Sequence, residues 1–280
     1  EGALRRYIEN GIYKYVTLRT EAPADLPPAR PMSSAEIEAT TAVILTYLER
    51  FAEAAPHAEA ALRADAGLSE AHVAAGLLAR RQNRAEESER LFRTAVALAP
   101  GNLDAAYFWG LTLVETSDVD AESLEQARRT LAAALPADDP PADALTVLGV
   151  LEGQCGRLLE AEALLRQSMR LMPGQTRTMA GLADILIRLG RFDDARAILE
   201  PMISKPAYAG EADIGRRLMR FLSETELHMG LREELARLST QASAGNAGRS
   251  RQSGLLEEID CRPEGLVLQL KTTDGPVRFY

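Results

Sequence analysis

The chain has 280 residues, 46% of them hydrophobic and only 5% aromatic, with a net charge of −9 and a pI near 5.1. That hydrophobic content excludes a mainly disordered protein, and so few aromatics in an Ala- and Leu-rich chain argue for packed helices over an all-β fold. An acidic chain lacks the basic footprint that phosphate neutralisation requires, which excludes a general nucleic-acid binder.

Residues 1–34 are expected to hold a short helix, ALRRYIENG, stopping at Gly11, then an extended YKYVTLRT and a proline-rich connector, EAPADLPPARP. Ser33 or Ser34 follows as the cap of the next helix, since a hydroxyl there satisfies the orphan N–H groups of a first turn. The chain opens at Glu1 with neither a methionine nor a signal-peptide pattern and closes on VRFY in what reads as mid-strand. It is expected to be a piece of a longer protein. No run approaches 18 apolar residues, so no membrane span is expected. Cys155 and Cys261 lie in different segments without CxxC spacing, which points to neither a disulfide framework nor a zinc site.

From residue 35 a 34-residue period takes over. Arg50, Arg84, Arg157 and Arg191 each follow a turn-like residue: Glu49, Asn83, Gly156 and Gly190. Small residues recur at Ala42, Gly76, Gly110, Gly149 and Ala183, and again at Ala54, Ser88, Ala127, Ala161 and Ala195. Four positions past the second set come Ala58, Phe92, Leu131, Leu165 and Leu199. The frame divides the chain into units 35–68, 69–102, 103–141, 142–175 and 176–209, the third carrying a five-residue insertion within TSDVDAESLEQ. Asp120 or Ser123 is placed to cap the helix after that insertion. Pro56 and Pro201 fall inside second helices of the first and fifth units, where each removes a backbone donor.

The pattern resembles the tetratricopeptide repeat family, with Gly or Ala at the eighth position of a unit, Ala at the twentieth and Pro near the thirty-second. Its best stretches are AHVAAGLLARRQNRAEESERLFRTAVALAPGN from Ala71 and ALTVLGVLEGQCGRLLEAEALLRQSMRLMPGQ from Ala144. The resemblance implies an all-α, right-handed superhelical solenoid of about five helical hairpins. A small residue on each first helix lets its partner approach closely, and stacking buries what a lone hairpin cannot.

Residues 210–240 lose the frame and are expected to form a capping helix with a polar outer face. QASAGNAGRSRQS, 241–253, reads as a flexible linker. At 254–280 the periodicity changes to two, with Leu266, Leu268 and Leu270 alternating along a strand and Asp274-Gly275 supplying a turn. The layout also resembles the C-terminal repeat region of certain bacterial proteins in which a zinc-peptidase-like domain precedes the repeats. That resemblance implies an alternative role as the regulatory or substrate-presenting arm of an enzyme encoded elsewhere. A further alternative is an architectural module that associates with itself through Trp109 and the irregular first unit.

No catalytic, cofactor-binding or metal-binding residue is assigned. His57, His72 and His228 lack the HExxH spacing that places two imidazoles on one metal, and G-x-S-x-G, P-loop and G-x-G-x-x-G motifs are absent. The acidic pairs Glu86-Glu87, Asp193-Asp194 and Glu257-Glu258 read as solvated faces. What remains is an inner surface. In the resembled family the second, fifth, ninth, twelfth and thirteenth positions of each unit line a groove for a protein or peptide partner. Here they include Tyr47, Glu70, Arg80, Arg81, Tyr107, Glu115, Gln154, Asp184, Ile187 and Arg188. Tyr and Arg combine contact area with hydrogen bonding, as binding anchors require. Arg80 and Arg81 near Tyr107 suit either an acidic or C-terminal carboxylate, or pairing with Glu70, Asp104 or Glu115 of neighbouring units. The Lys and Asn of the family's chaperone-tail clamp are missing.

Overall fold

The computed structural model describes residues 30–116, 118–245, 254–262, 265–272 and 275–279. The expected N-terminal helix, the YKYVTLRT segment and most of the proline-rich connector lie outside them. Eleven helices occupy the described residues. They pair as hairpins: α1 (Ser34–Tyr47) with α2 (Phe51–Ala64), α3 (Ser69–Arg81) with α4 (Ala85–Leu98), α5 (Leu103–Glu115) with α6 (Ala121–Ala134), α7 (Ala142–Gln154) with α8 (Leu158–Leu171), and α9 (Thr176–Arg188) with α10 (Phe192–Ser204). The single helix α11 (Ala209–Gly245) follows and packs on α9 and α10.

The first helix starts on a reciprocal cap. The Ser33 hydroxyl accepts from the Glu36 N–H at 3.2 Å, and the Glu36 carboxylate accepts from the Ser33 N–H at 2.7 Å. Ser33, not Ser34, is therefore the cap.

The turn inside four of the five hairpins repeats one backbone device. Glu49, Asn83, Gly156 and Gly190 all have positive φ, at 58°, 58°, 82° and 74°. The arginine after each sends its N–H back to a carbonyl of the last helical turn: Arg50 to Leu45, Arg84 to Ala79, Arg157 to Glu152 and Arg191 to Leu186, at 2.8 to 2.9 Å. The left-handed residue itself bonds three positions back, which completes a Schellman motif. The third hairpin departs from it. Its loop is longer, Asp118 takes the positive φ, and Asp120 caps α6 by accepting from the Ser123 N–H at 2.8 Å. Only part of the insertion stays in that loop. Ala127 and Leu131 sit about a turn deeper in α6 than Ser88 and Phe92 do in α4, and the excess reappears in the link to α7.

The recurrent small residues are where helices touch. A Cβ on Gly76 would lie 2.7 Å from Phe92, and one on Gly110 would lie 3.1 Å from Leu151 and Val147 of the next unit. Phe92 fills the space over Gly76 inside its own hairpin and also stacks on Phe108 of the next, with centroids 5.6 Å apart. It therefore packs within its own unit and against the next. Trp109, Leu131, Leu165, Leu182 and Leu199 are fully buried along the same seam. Pro56 and Pro201 lie inside α2 and α10, which both continue through them.

Helix α11 differs from the polar cap expected. Its first half is anchored by Leu222 in the core and by Ile214 and Leu218 packed against it, with Gly215 on Ile203. Leu227, Leu231, Leu235 and Leu238 of its second half are exposed. It also runs on through 241–245, part of the expected linker, because Ala242 and Ala244 favour helix. The backbone of the C-terminal segment pairs antiparallel in the order β1 (Gly254–Arg262), β2 (Gly265–Thr272), β3 (Gly275–Phe279).

Candidate functional site

Each first helix packs on the first helix of the next unit: α1 on α3, α3 on α5, α5 on α7 and α7 on α9. Each second helix packs on the first helix of its own hairpin and on the helix that follows it. First helices are thus the crowded side of the stack, and their free face is its inner side. The carboxylate of Glu115 on α5 measures the crowding. It accepts hydrogen bonds from Arg80 on α3 and, at 2.7 Å, from Arg177 on α9, a residue 62 positions away in the chain.

Two adjoining depressions lie on this face. One, of about 330 Å³, is lined by Tyr47, Leu77, Asp104, Tyr107, Phe108 and Asp143, among others. The second, of about 220 Å³, shares Val43, Val73 and Asp104 with the first and adds Glu70. A third, of about 750 Å³, lies between α7, α9 and α11, where Arg177, Asp184, Tyr208, Arg217 and Phe221 surround an apolar floor.

Tyr47 is 58% exposed at the end of α1. Tyr107 is half-buried, edge-on to Phe108 with centroids 4.9 Å apart. Burial pushes its phenol up, the Asp143 carboxylate adds to the shift, and the Arg177 and Arg80 guanidiniums oppose it. Those charges place Tyr107 at the centre of the polar cluster beside the cavity. Arg80 is mostly covered, held by Glu115, and its Nε is buried without a partner. Arg81 pairs with Glu49 at 2.9 Å, a partner the sequence frame did not suggest. Asp184 lines the third depression, where burial raises its carboxyl pKa against the pull of Arg188, 3.8 Å away. Gln154 and Arg188 are exposed at the ends of α7 and α9.

Two expectations need correction. Ile187 is fully buried and lines no groove. It holds the twelfth position of its unit, where Thr46 and Gly153 are buried too, while Arg80 and Val114 at the same position are only partly covered. Trp109 is only 1% exposed, so it offers no surface for self-association. Sequence reasoning left Asp143 and Arg177 unnamed and gave Asp104 only as a pairing partner for Arg80 or Arg81, though all three hold second positions and are within reach of the same positional rule.

Each histidine bonds to something other than a metal ligand set. His57 meets Glu38 at 2.5 Å, His72 the Ala66 carbonyl and His228 the Glu224 carbonyl. Among the described residues no group of three or more His, Cys, Asp and Glu is placed to hold a metal ion, and no helix is long and apolar enough to cross a membrane. The Cys155 thiol, at the end of α7, is pushed up first by burial and then by the Glu125 carboxylate.

Family models described as tetratricopeptide repeat match residues 41–102 and 155–205. No curated protein matches the sequence. Solved structures similar to this chain include one titled for the functional characterization of Pseudomonas aeruginosa PilF, 20% identical with a TM-score of 0.52, covering 73% of this chain and 91% of that one. PilW, described as a widely conserved type IV pilus biogenesis factor, is 17% identical with a TM-score of 0.56, covering 71% and 91%. YrrB, described as a TPR protein with an unusual peptide-binding site, is 19% identical with a TM-score of 0.51, covering 66% and 92%. At these identities the likeness shows the fold, a helical repeat solenoid. The link to a zinc-peptidase-like protein is not shown by them.

Proposed function

We propose that this chain of tetratricopeptide repeats is a non-catalytic scaffold that holds a protein or peptide partner against the inner face of its first helices. One observation carries the reading. The inner face presents an aromatic-floored depression of about 330 Å³ with Tyr47, Tyr107 and Phe108 in its lining, beside charged groups fixed in place by ion pairs. Aromatic side chains that are partly exposed and held rigidly give contact area at low entropic cost, which suits recognition. The description of YrrB as peptide-binding, on a similar solenoid, agrees with this use of the fold.

The proposed lining is Tyr47, Arg80, Arg81, Tyr107, Glu115, Gln154, Asp184 and Arg188. Tyr47 and Tyr107 supply contact area. Arg80 and Glu115 set the width of the groove, and Arg81, Gln154, Asp184 and Arg188 form its polar rim. The test is affinity capture from a lysate of the native organism with wild type and with an Arg80→Ala/Arg81→Ala/Tyr107→Ala variant shown by circular dichroism to be folded. Partners retained by wild type and lost by the variant are expected. Identical partner sets would overturn the groove assignment.

A further inference from the structure

The inner face is aromatic, and its charges are unevenly matched. Every guanidinium beside the two adjoining depressions is already held: Arg30 by Glu36, Arg80 and Arg177 by Glu115, and Arg81 by Glu49. The carboxylates in the lining are not. Glu70, Asp104 and Asp143 have no ion-pair partner among the described residues, and Asp143 accepts only from the neutral Gln175 amide. No basic side chain lines either depression among the described residues. These carboxylates hold the second position of three successive first helices, α3, α5 and α7, so they repeat at the spacing of packed helices, about 10 Å. A polyproline II segment advances about 9 Å in three residues and returns to the same face.

We infer that the groove takes an extended segment with Lys or Arg at every third position and large apolar residues between them. The cations would meet Glu70, Asp104 and Asp143, and one apolar side chain would enter the depression between Tyr47 and Tyr107. The acidic partner allowed by the sequence finds no free arginine there. This assignment rests on the proposed groove and adds the chemistry of its occupant.

The test is fluorescence anisotropy of the full chain with labelled nine-residue probes. The basic probe is Gly-Lys-Phe-Val-Lys-Phe-Val-Lys-Gly, and the acidic probe replaces each Lys by Glu. The basic probe is expected to bind at least about tenfold more tightly, with the difference shrinking as salt is raised. Asp104→Asn/Asp143→Asn is expected to bring the two probes to within about threefold. Tyr47→Ala, an exposed position whose loss leaves the core intact, is expected to weaken the basic probe at least fivefold, roughly the loss of one aromatic contact. Equal or tighter binding of the acidic probe overturns the charge assignment and leaves the groove standing. Basic-probe binding untouched by both Tyr47→Ala and Asp104→Asn/Asp143→Asn overturns the groove as well. Absence of binding by the basic probe overturns the inference outright.

Discussion

Gly149 lies under Leu165 so closely that a Cβ on the glycine would sit 2.7 Å from Leu165 Cγ. Leu165 is fully buried, so it has no solvent side to retreat to. Two effects compete in Gly149→Ala. Alanine favours a helix interior over glycine by about 1 kcal/mol, while overpacking a filled core costs about 1–3 kcal/mol. Overpacking wins, and a net loss near 1 kcal/mol is expected in urea unfolding. Leu165→Ala alone is expected to cost about 2–5 kcal/mol, as is Leu148→Ala. In the Leu165→Ala background the clash with Leu165 is gone and only the Ala161 carbonyl, 3.3 Å from the added Cβ, stays close, so adding Gly149→Ala should cost clearly less than in wild type. Equal cost in both backgrounds would show that the close approach is not what requires glycine there.

Gly156 tests the turn without any packing. Its φ is +82°, and a Cβ would meet nothing within 4 Å. Gly156→Ala is therefore expected to lose about 1–2 kcal/mol from backbone strain alone. Asn83 holds the equivalent position at φ 58°, so Asn83→Gly should be the mild converse, with a shift of a few tenths to about 1 kcal/mol in the stabilising direction. Chemical denaturation of the two variants beside wild type checks both signs.

Much of this fold was legible because one packing rule repeats. Gly76, Gly110 and Gly149 recur where first helices are approached by Phe92, Leu151 and Leu165, and a period of contacts leaves a period of residue types. The turns were legible only in part. Glu49 and Asn83 look unlike Gly156 and Gly190 as residues, yet all four adopt the same left-handed backbone. The site was less legible. Positional reasoning placed Tyr47 and Tyr107 on the inner face, but it also put Ile187 there, because it assigns directions by number and ignores how far each helix is rotated against the next. The contact of Glu115 with Arg177 was beyond it altogether. That contact depends on how tightly three successive units curve, a sum of small rotations that no local pattern encodes.

Strong acid should weaken the cap of α1. The Arg30 guanidinium, helped by the Ser33 N–H, lowers the Glu36 carboxyl from its usual 4.5 to about 2. A depressed acid pKa means that the folded state binds the proton more weakly than the unfolded chain does. The stabilisation is therefore complete above about pH 4.5 and is lost as pH falls toward about 2. Glu36→Gln cannot be protonated, so its stability deficit against wild type should be largest at neutral pH and shrink through that window. Urea midpoints of the pair at pH 6 and pH 3 measure it. A deficit constant across both pH values would remove Glu36 as the titrating group.

Glu115→Gln separates what the arginine bridge does for stability from what it does for recognition. Glu115 and Arg177 are both two-fifths exposed or more, so solvent screens their attraction, and losing such pairs is expected to cost about 1 kcal/mol or less. The variant keeps the shape of the side chain and removes only its charge. Arg80 and Arg177 would then stand beside Tyr107 with no carboxylate to hold them, and the local charge would move by one unit toward positive. Preference for the basic over the acidic nine-residue probe should fall by about twofold to threefold while the melting curve barely moves. A large loss of stability with unchanged preference would make the bridge a structural strut. A changed preference at nearly constant stability would place Glu115 among the residues that decide which partner the groove accepts.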